Sequence, residues 1–183
     1  MSLSVPHTLV IGGARSGKSR FAEALARRSG LGRIYIATAT AFDDEMRERI
    51  AQHRADRAQD SWRTVEEPLD LAGVLPREAV PGRIVLVECL TLWLTNVILG
   101  EAAERQQSDA AVACSRLAAI VPDLAGPVVF VSNEVGSGIV PDNKLARDFR
   151  DAQGRLNQAM AEACDRVVLV TAGLPLTLKG ETG

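Results

Sequence analysis

Short runs of branched aliphatic residues alternate along the chain with longer stretches in which apolar residues recur every three or four positions. The short runs predict strands, and the longer stretches predict helices that connect them. The predicted strands are His7–Ile11, Arg33–Ala37, Arg83–Glu88, Pro127–Ser132 and Arg166–Thr171. This alternation is typical of an α/β fold, so we expect a mainly parallel sheet flanked by helices. Because crossovers between parallel strands are right-handed, the carboxyl ends of the strands should share one edge, where such folds bind ligands.

Helical spacing predicts five helices of different length. They cover Lys18–Arg28, Phe42–Arg57, Leu69–Leu75, Asp109–Val121 and a long segment after Asn143 whose apolar stripe is Leu145, Phe149, Ala152, Leu156 and Met160. The segment Trp62–Pro68 is either a short strand or an extended loop. We interpret Pro76–Gly82 as a turn and the residues after Pro175 as a polar tail.

The composition is that of a globular protein. The chain has 183 residues, of which 46% are apolar and 24% are charged. This length suits one domain with a sizeable core, which we assign to residues 1–183. No apolar run approaches the roughly 20 residues that a membrane-spanning helix needs. Twenty-one basic and 23 acidic residues leave a formal net charge of −2, which provides no overall positive field for a nucleic-acid partner.

Three cysteines, Cys89, Cys114 and Cys164, lie far apart in the sequence, each within an apolar run. Their odd number and their spacing argue against a disulfide framework and against a zinc site. Met1–Val5 has neither the basic nor the apolar region of a secretory signal peptide. Reduced, buried thiols and the lack of a signal peptide together indicate a cytoplasmic protein.

A glycine-rich segment directly follows the first predicted strand and opens the first predicted helix. It fits the P-loop pattern G-x-x-x-x-G-K-[ST] and consists of Gly12, Gly13, Ala14, Arg15, Ser16, Gly17, Lys18 and Ser19. The glycines let backbone N–H groups turn toward a phosphate, Lys18 supplies a charge for the β- and γ-phosphates, and Ser19 can hold Mg²⁺. The segment predicts a nucleoside triphosphate site and a P-loop NTPase-like fold, with a chance glycine-rich turn as the alternative. It leaves the acceptor of the phosphoryl group open.

Glu88 ends the aliphatic run Ile84–Val87, which reads as a strand covered on both faces. A carboxylate at this place suits a Walker-B role, in which it reaches the coordination shell of Mg²⁺. Its extra methylene relative to aspartate could move it out to a water-mediated contact. The alternative is an ordinary carboxylate at the end of a strand.

His53 shares one face of the second predicted helix with Met46, Ile50 and Arg57. A histidine on such a face is often only a packed or half-exposed bystander. Here arginines flank it at positions 49, 54 and 57, and guanidinium groups suit bidentate phosphate binding. Cations also favour the neutral imidazole, which is the nucleophilic form.

The fourth predicted strand runs into a loop, Asn133–Pro141, that carries two glycines, an amide and a carboxylate. Such a loop at the ligand edge can approach a substrate closely. Arg147 and Arg150, near the start of the following helix, either belong to a solvated face or reach a transferring phosphate.

Several blocks of residues, spread over nearly the whole chain, form a combination that is far more specific than a P-loop alone. The blocks are Gly12–Ser19, Tyr35–Thr38, Asp43–Met46 with Arg49, Ile50 and His53, Trp62–Thr64 with Glu66, Glu88–Thr91, and Ser132–Gly136 through Arg147–Asp151 and Asn157. This set resembles the bifunctional adenosylcobinamide kinase/adenosylcobinamide-phosphate guanylyltransferase of cobalamin biosynthesis. The resemblance implies that ATP or GTP phosphorylates the aminopropanol hydroxyl of adenosylcobinamide. GMP from GTP would then be transferred through a covalent histidine intermediate, giving adenosylcobinamide-GDP and pyrophosphate.

The resemblance also implies roles for particular residues. The guanylylated residue would be His53, with Lys18 acting on the phosphates, and Ser19 and Glu88 would lie on the metal side. The implied nucleotide site comprises Gly12–Ser19, Thr38, Ala39, Thr40, Arg54, Ala55, Asp56, Arg57, Glu66 and Glu88. Some members have two adjacent histidines at the intermediate, whereas Gln52 precedes His53 here, which leaves one candidate. The family is further expected to form a homotrimer.

Two other classes of protein share a P-loop. A simple kinase of a small alcohol or nucleoside would need no histidine on the second helix, and a regulatory NTPase would hydrolyse nucleotide without an acceptor. His53 with its flanking arginines favours the bifunctional enzyme over both.

Overall fold

Seven strands form one sheet in the part of the chain that the computed structural model describes, namely residues 6–40, 61–99 and 110–180. They are β1 Thr8–Gly12, β2 Gly32–Ala37, β3 Trp62–Glu66, β4 Arg83–Glu88, β5 Val128–Asn133, β6 Arg166–Thr171 and β7 Leu174–Lys179. Their order is β3-β2-β4-β5-β1-β6-β7, and every neighbouring pair is parallel except β6 and β7. The mainly parallel sheet predicted from the sequence is confirmed, and β5 separates the P-loop strand β1 from β4.

Helices cover both faces of the sheet. The described helices are α1 Lys18–Arg28, α2 Leu71–Glu78, α3 Leu90–Leu99, α4 Ala110–Ile120 and α5 Lys144–Ala163, and a 3₁₀ turn, Val121–Asp123, follows α4. On one face, Ala22 and Ala26 of α1 pack in a cluster with Val10, Leu86 and Val131. The other four helices pack on the opposite face, around the fully or almost fully buried Trp93, Phe130 and Leu156. The central strands are therefore covered on both sides, which explains their continuous aliphatic sequences.

The long helix α5 is fixed at both ends. At its start, the Asn143 side chain accepts a hydrogen bond of 2.7 Å from the backbone N–H of Ala146, as an N-cap does. At its end, the ammonium group of Lys179 donates to the carbonyls of Ala161, Glu162 and Cys164 at 2.6–2.9 Å. A cation at this end also suits the helix dipole. Strand β7 therefore anchors the helix that it lies beside.

Some elements differ from the sequence prediction. The supposed polar tail contains β7, an edge strand on which Leu174, Leu176 and Leu178 are exposed. Helix α2 continues through Pro76 instead of turning there, because Asp70 caps its start and three apolar side chains on one face are buried. The apolar segment Leu90–Leu99 is a helix, and the undecided segment after Ser61 is the strand β3.

The apolar stripe predicted for the long helix is wrong at its first residue, because Leu145 is 55% exposed. Leu156 and Met160, 11 and 15 residues further along the same helix, are fully buried in the core cluster on that face of the sheet. The predicted helix Phe42–Arg57 and the polar connection at 100–108 lie outside the described residues.

All three cysteines are free. Cys89 and Cys164 are buried, whereas Cys114 is half-buried. Burial, more than the neighbouring Asp165 carboxylate, raises the pKa of the Cys164 thiol to about 12. Burial also raises the pKa of Cys89. Both thiols are thus protonated at neutral pH, the less nucleophilic form.

Candidate functional site

The P-loop connects the carboxyl end of β1 to the start of α1, as the sequence predicts. Gly12 lies where a Cβ atom would come within 2.5 Å of the Val170 carbonyl oxygen and 2.6 Å of the Ser16 hydroxyl. Gly17 has φ +93°, a conformation that side chains other than hydrogen disfavour. Both glycines of the motif are therefore required by the backbone itself, before any ligand is considered.

Lys18 and the loop backbone form a cationic turn. The ammonium group of Lys18 donates a hydrogen bond of 3.2 Å to the Gly13 carbonyl, and the Ser16 N–H donates to the same carbonyl oxygen at 3.3 Å. The first N–H groups of α1 have no intrahelical acceptor, and the helix dipole adds positive potential there. This geometry suits the phosphates of a nucleotide.

The turn between β6 and β7 packs against the P-loop and hydrogen-bonds to its backbone. Its two residues, Ala172 and Gly173, have φ of 52° and 80°. The N–H of Gly173 donates a 2.8 Å hydrogen bond to the Ser16 carbonyl. The Gly173 Cα lies 3.1 Å from where a Gly17 Cβ would be. The P-loop is therefore held by a segment from the far end of the described chain.

Glu88, at the end of β4, lies against the P-loop, and the Ser19 hydroxyl donates a short hydrogen bond to its carboxylate. A hydroxyl and a carboxylate in contact are hard oxygen donors that fit Mg²⁺, which commonly takes one or two protein ligands together with phosphate oxygens. Within residues 6–40, 61–99 and 110–180 there is no group of three or more His, Cys, Asp or Glu side chains that could hold a metal ion. The donor set thus suits an ion shared with a nucleotide.

Thr38 ties the ends of β2 and β4 together and is fully buried. Its hydroxyl donates to the Cys89 carbonyl at 2.8 Å and accepts from the Cys89 N–H at 2.7 Å, across the cis peptide that joins Glu88 to Cys89. Its own carbonyl accepts a 2.7 Å hydrogen bond from the Asn96 side chain. Thr38 therefore fixes the backbone beside Glu88, and its hydroxyl uses its donor and an acceptor position on the Cys89 backbone.

A buried polar network fixes the end of β5, and sequence reasoning assigned no role to most of it. Gln153 and Ser132 are fully buried, and Asn157 is 8% exposed. The Ser132 hydroxyl donates to the Asn157 Oδ1 at 2.6 Å, and Gln153 Nε2 donates to both partners at 2.9 and 3.0 Å. The one signal in the sequence is the four-residue spacing of Gln153 and Asn157 on the buried side of a helix. Such a spacing does not reveal that Ser132 on β5 is their hydrogen-bond partner.

Arg147 holds the loop that precedes α5, since its guanidinium donates to the carbonyls of Pro141 and Asp142 at 2.9 and 2.7 Å. Arg150 lies 3.8 Å from Asp151 in an ion pair at the surface. Neither arginine contacts the P-loop through these interactions. The description as a solvated, structural face fits both residues better than a phosphate contact does.

The structure brings part of the predicted site together at the carboxyl edge of the sheet. Gly12–Ser19 and Glu88 are in direct contact, and Thr38 lies beside Glu88 with Ala39 and Thr40 following it. Glu66 ends β3 at the outer edge of the sheet, with β2, β4 and β5 between it and β1. The remaining candidates, His53, Arg54, Ala55, Asp56 and Arg57, lie outside the described residues.

Comparison with known proteins gives consistent matches over nearly the whole chain. The family model described as "Cobinamide kinase / cobinamide phosphate guanyltransferase" matches residues 8–178. A protein of Pseudomonas aeruginosa named bifunctional adenosylcobalamin biosynthesis protein CobP is 52% identical over 173 residues, covering 94% of this chain and 97% of that relative. The protein named bifunctional adenosylcobalamin biosynthesis protein CobU of Escherichia coli (strain K12) is 42% identical over 180 residues, covering 93% and 98%.

Solved structures with low sequence identity share the fold. The RadB recombinase has a TM-score of 0.51 at 17% identity, covering 90% of this chain and 73% of its own. A protein from Pyrococcus horikoshii OT3 has a TM-score of 0.55 at 12% identity, covering 97% and 87%. The predicted P-loop NTPase-like fold is confirmed. None of the described helices is long and apolar enough to cross a lipid bilayer.

Proposed function

Because the chain belongs to the cobinamide kinase/cobinamide phosphate guanyltransferase family, we propose that its P-loop serves two successive reactions on one corrinoid substrate. The first transfers a phosphoryl group from ATP or GTP to the aminopropanol hydroxyl of adenosylcobinamide. The second transfers GMP from GTP to that phosphate and releases pyrophosphate. The observation that carries this proposal is the contact of Ser19 with Glu88 beside Lys18, in a chain whose family match spans residues 8–178.

In the kinase step the chain acts by binding and by charge. The P-loop backbone and Lys18 hold the β- and γ-phosphates, and positive charge there stabilises the negative charge that develops in transfer. Ser19 and Glu88 would hold Mg²⁺, which when bound neutralises charge on the β- and γ-oxygens. The oxygen of the acceptor hydroxyl attacks the γ-phosphorus. The bond between that phosphorus and the β,γ-bridging oxygen breaks, the nucleoside diphosphate leaves, and the hydroxyl proton goes to solvent.

In the transfer step we propose His53 as the nucleophile. Its neutral imidazole attacks the α-phosphorus of GTP, a nitrogen–phosphorus bond forms, and pyrophosphate leaves. An oxygen of the substrate phosphate then attacks the same phosphorus, and the imidazole departs unchanged. Arg54 and Arg57, near His53 in the sequence, would stabilise the charge at the α-phosphate.

Further parts of the proposal concern the remaining nucleotide-binding residues and the molecule as a whole. We expect Thr38–Thr40 and Glu66 to take part in nucleotide binding, with Thr38 acting through the backbone it fixes. We also expect one domain over residues 1–183, a homotrimer, a cytoplasmic location and no nucleic-acid partner. The free cysteines and the net charge of −2 support the last two expectations.

The test of the proposed function is covalent labelling. We expect the protein incubated with α-phosphate-labelled GTP, then denatured, to retain label that acid removes, as a nitrogen–phosphorus bond requires. Addition of adenosylcobinamide phosphate before denaturation should discharge the label into adenosylcobinamide-GDP. A simple kinase or a regulatory NTPase would give no protein-bound label.

The proposed metal role of Glu88 makes a second prediction. Glu88→Gln keeps the shape of the side chain but removes its negative charge, so the apparent affinity for Mg²⁺ in phosphorylation should fall by about tenfold or more. Higher Mg²⁺ should restore part of the rate. The measurement is the Mg²⁺ dependence of the phosphorylation rate, with Glu78→Gln as a control, since Glu78 pairs with arginines elsewhere on the surface. An unchanged Mg²⁺ dependence would make Glu88 a structural residue.

A further inference from the structure

Asn133 ends β5, the strand that lies between the P-loop strand and the strand of Glu88. Its Cα is paired with that of Gly12 on one side. On the other side, Glu88 is paired with Val131, two residues earlier. Because a strand rises about 3.3 Å per residue, Asn133 lies about 7 Å further toward the ligand edge than the level of Glu88.

Side-chain alternation places Asn133 on the face of the sheet that carries α1. Val129 and Val131 pack in the cluster with α1, whereas the Ser132 side chain bonds to α5 on the opposite face. Asn133 therefore projects to the same side as Val131. Ile84 and Leu86 belong to the same cluster, and Glu88 continues their side and reaches Ser19 of α1. Asn133 and Glu88 thus face the start of α1 from neighbouring strands.

The backbone of Asn133 is held from both sides. Its N–H donates a 2.9 Å hydrogen bond to the Thr91 hydroxyl, and its carbonyl accepts from the Asn157 side chain at 3.0 Å. Asn157 is itself fixed by Ser132 and Gln153. The next N–H, of Glu134, donates to the Gly12 carbonyl at 3.1 Å. These hydrogen bonds hold the end of β5 in one position and rigidify the backbone at Asn133.

The carboxamide of Asn133 remains available. Within the described residues its side chain makes no hydrogen bond, and Asn133 is half-buried. Its place in the strand puts it on the α1 face of the sheet, at the level of Gly12, where the P-loop begins. An amide offers two donors and one acceptor in a fixed plane. It is also neutral, so it can contact a phosphate without repelling it.

We propose that Asn133 is a catalytic residue of the kinase step, with Thr91 and Asn157 as its positioning residues. Its Nδ2 donates a hydrogen bond to an oxygen of the transferring γ-phosphoryl group. Its Oδ1 accepts a hydrogen bond from the acceptor hydroxyl and so aligns the attack, and the proton itself leaves to solvent. This assignment rests on the proposed function. We assign the γ-phosphate as the group that Asn133 contacts, because Lys18, Ser19 and Glu88 lie where the β- and γ-phosphates bind. Attack at the α-phosphate in GMP transfer does not use this contact.

The test compares the two activities in one set of variants. Asn133→Ala should lower kcat for phosphorylation of adenosylcobinamide about 10²-fold, as loss of a preorganised donor does, with KM for nucleotide changed less than about threefold. Asn133→Asp should lose at least as much, because a carboxylate repels the phosphate. Covalent labelling by α-labelled GTP should stay within about threefold of the unmodified chain in both variants, which also verifies that they fold.

The positioning residues provide an independent arm. Thr91→Val removes the acceptor for the Asn133 N–H and should lower kcat for phosphorylation about tenfold, while Thr91→Ser keeps the hydroxyl and should restore it. Gln158→Ala, on an exposed position of α5, is the matched control and should leave both activities unchanged.

Phosphorylation within about threefold of normal in Asn133→Ala would overturn the inference. So would an equal loss of both activities, which would indicate a general structural role. Absence of phosphorylation by the unmodified chain would overturn the proposed function instead, and this inference with it.

Discussion

Changing His53 to alanine is expected to abolish covalent labelling by GTP and turnover in GMP transfer, while phosphorylation of adenosylcobinamide continues. A two-step transfer needs a protein group that attacks the α-phosphate and then leaves, whereas phosphorylation of an alcohol needs no protein nucleophile. Removal of a covalent nucleophile costs at least about 10³-fold in turnover, so the transferase should fall below detection in an ordinary assay. The measurements are acid-labile label on the denatured protein and the rates of the two reactions.

His7 provides the matched control for His53, because it is the other of the two histidines in the chain. It precedes β1, at the edge of the sheet opposite the P-loop, and its backbone N–H donates to Asp165 at 2.8 Å. Burial lowers the pKa of His7, so its imidazole is mostly neutral at pH 7. His7→Asn should nevertheless keep the label. Label retained in His53→Ala would refute the nucleophile role, and loss of both activities in a folded variant would point to nucleotide binding.

Lys18→Ala is expected to lower both activities about 10²- to 10³-fold, because both reactions use the same triphosphate site and lose the same charge, worth about 3–4 kcal/mol in the transition state. The fold should persist, since the hydrogen bond that the Lys18 ammonium makes among the described residues is to the Gly13 carbonyl, at a site that the solvent reaches. The measurements are the two steady-state rates and the midpoint of thermal unfolding.

Lys144→Ala is the control for Lys18→Ala, since that lysine forms an exposed ion pair with Asp148 on α5. Such pairs contribute about 1 kcal/mol or less, so this variant should keep both activities and nearly the same thermal midpoint. Phosphorylation within about tenfold of normal in a folded Lys18→Ala protein would exclude the P-loop as the phosphate site.

The central strands of the sheet were predictable because a short continuous run of aliphatic residues is by itself typical of a buried strand. Ile84–Val87 and Val128–Val131 are fully buried, and no amphipathic alternation competes with their reading as strands. The P-loop was equally predictable, because its glycines and its lysine have fixed spacing. The contact of Glu88 with Ser19 was predictable because Glu88 and the P-loop both follow the carboxyl ends of parallel strands, at one edge of the sheet.

The elements that sequence analysis missed depend on contacts with residues distant in the chain, and the sequence pattern does not reveal those contacts. Leu174–Lys179 contains a proline and exposes its leucines, so it lacked the pattern of a strand, and its pairing with β6 decided its structure. Pro76 costs α2 one hydrogen bond, which the burial of Leu71 and Leu75 offsets. The role of Thr91 and Asn157 is visible only in the structure, where their side chains hydrogen-bond to the backbone of Asn133.

The position of β1 also has a consequence for synthesis on the ribosome. Its two partners in the sheet are β5 and β6, which are made long after it, and the turn at Gly173 that supports the P-loop is made later still. A nascent chain that ends before β5 therefore holds the whole P-loop motif without either neighbouring strand. Contacts between such distant segments form late in folding. Nucleotide can thus stabilise the finished protein, but it has no assembled site to bind on the emerging amino-terminal half.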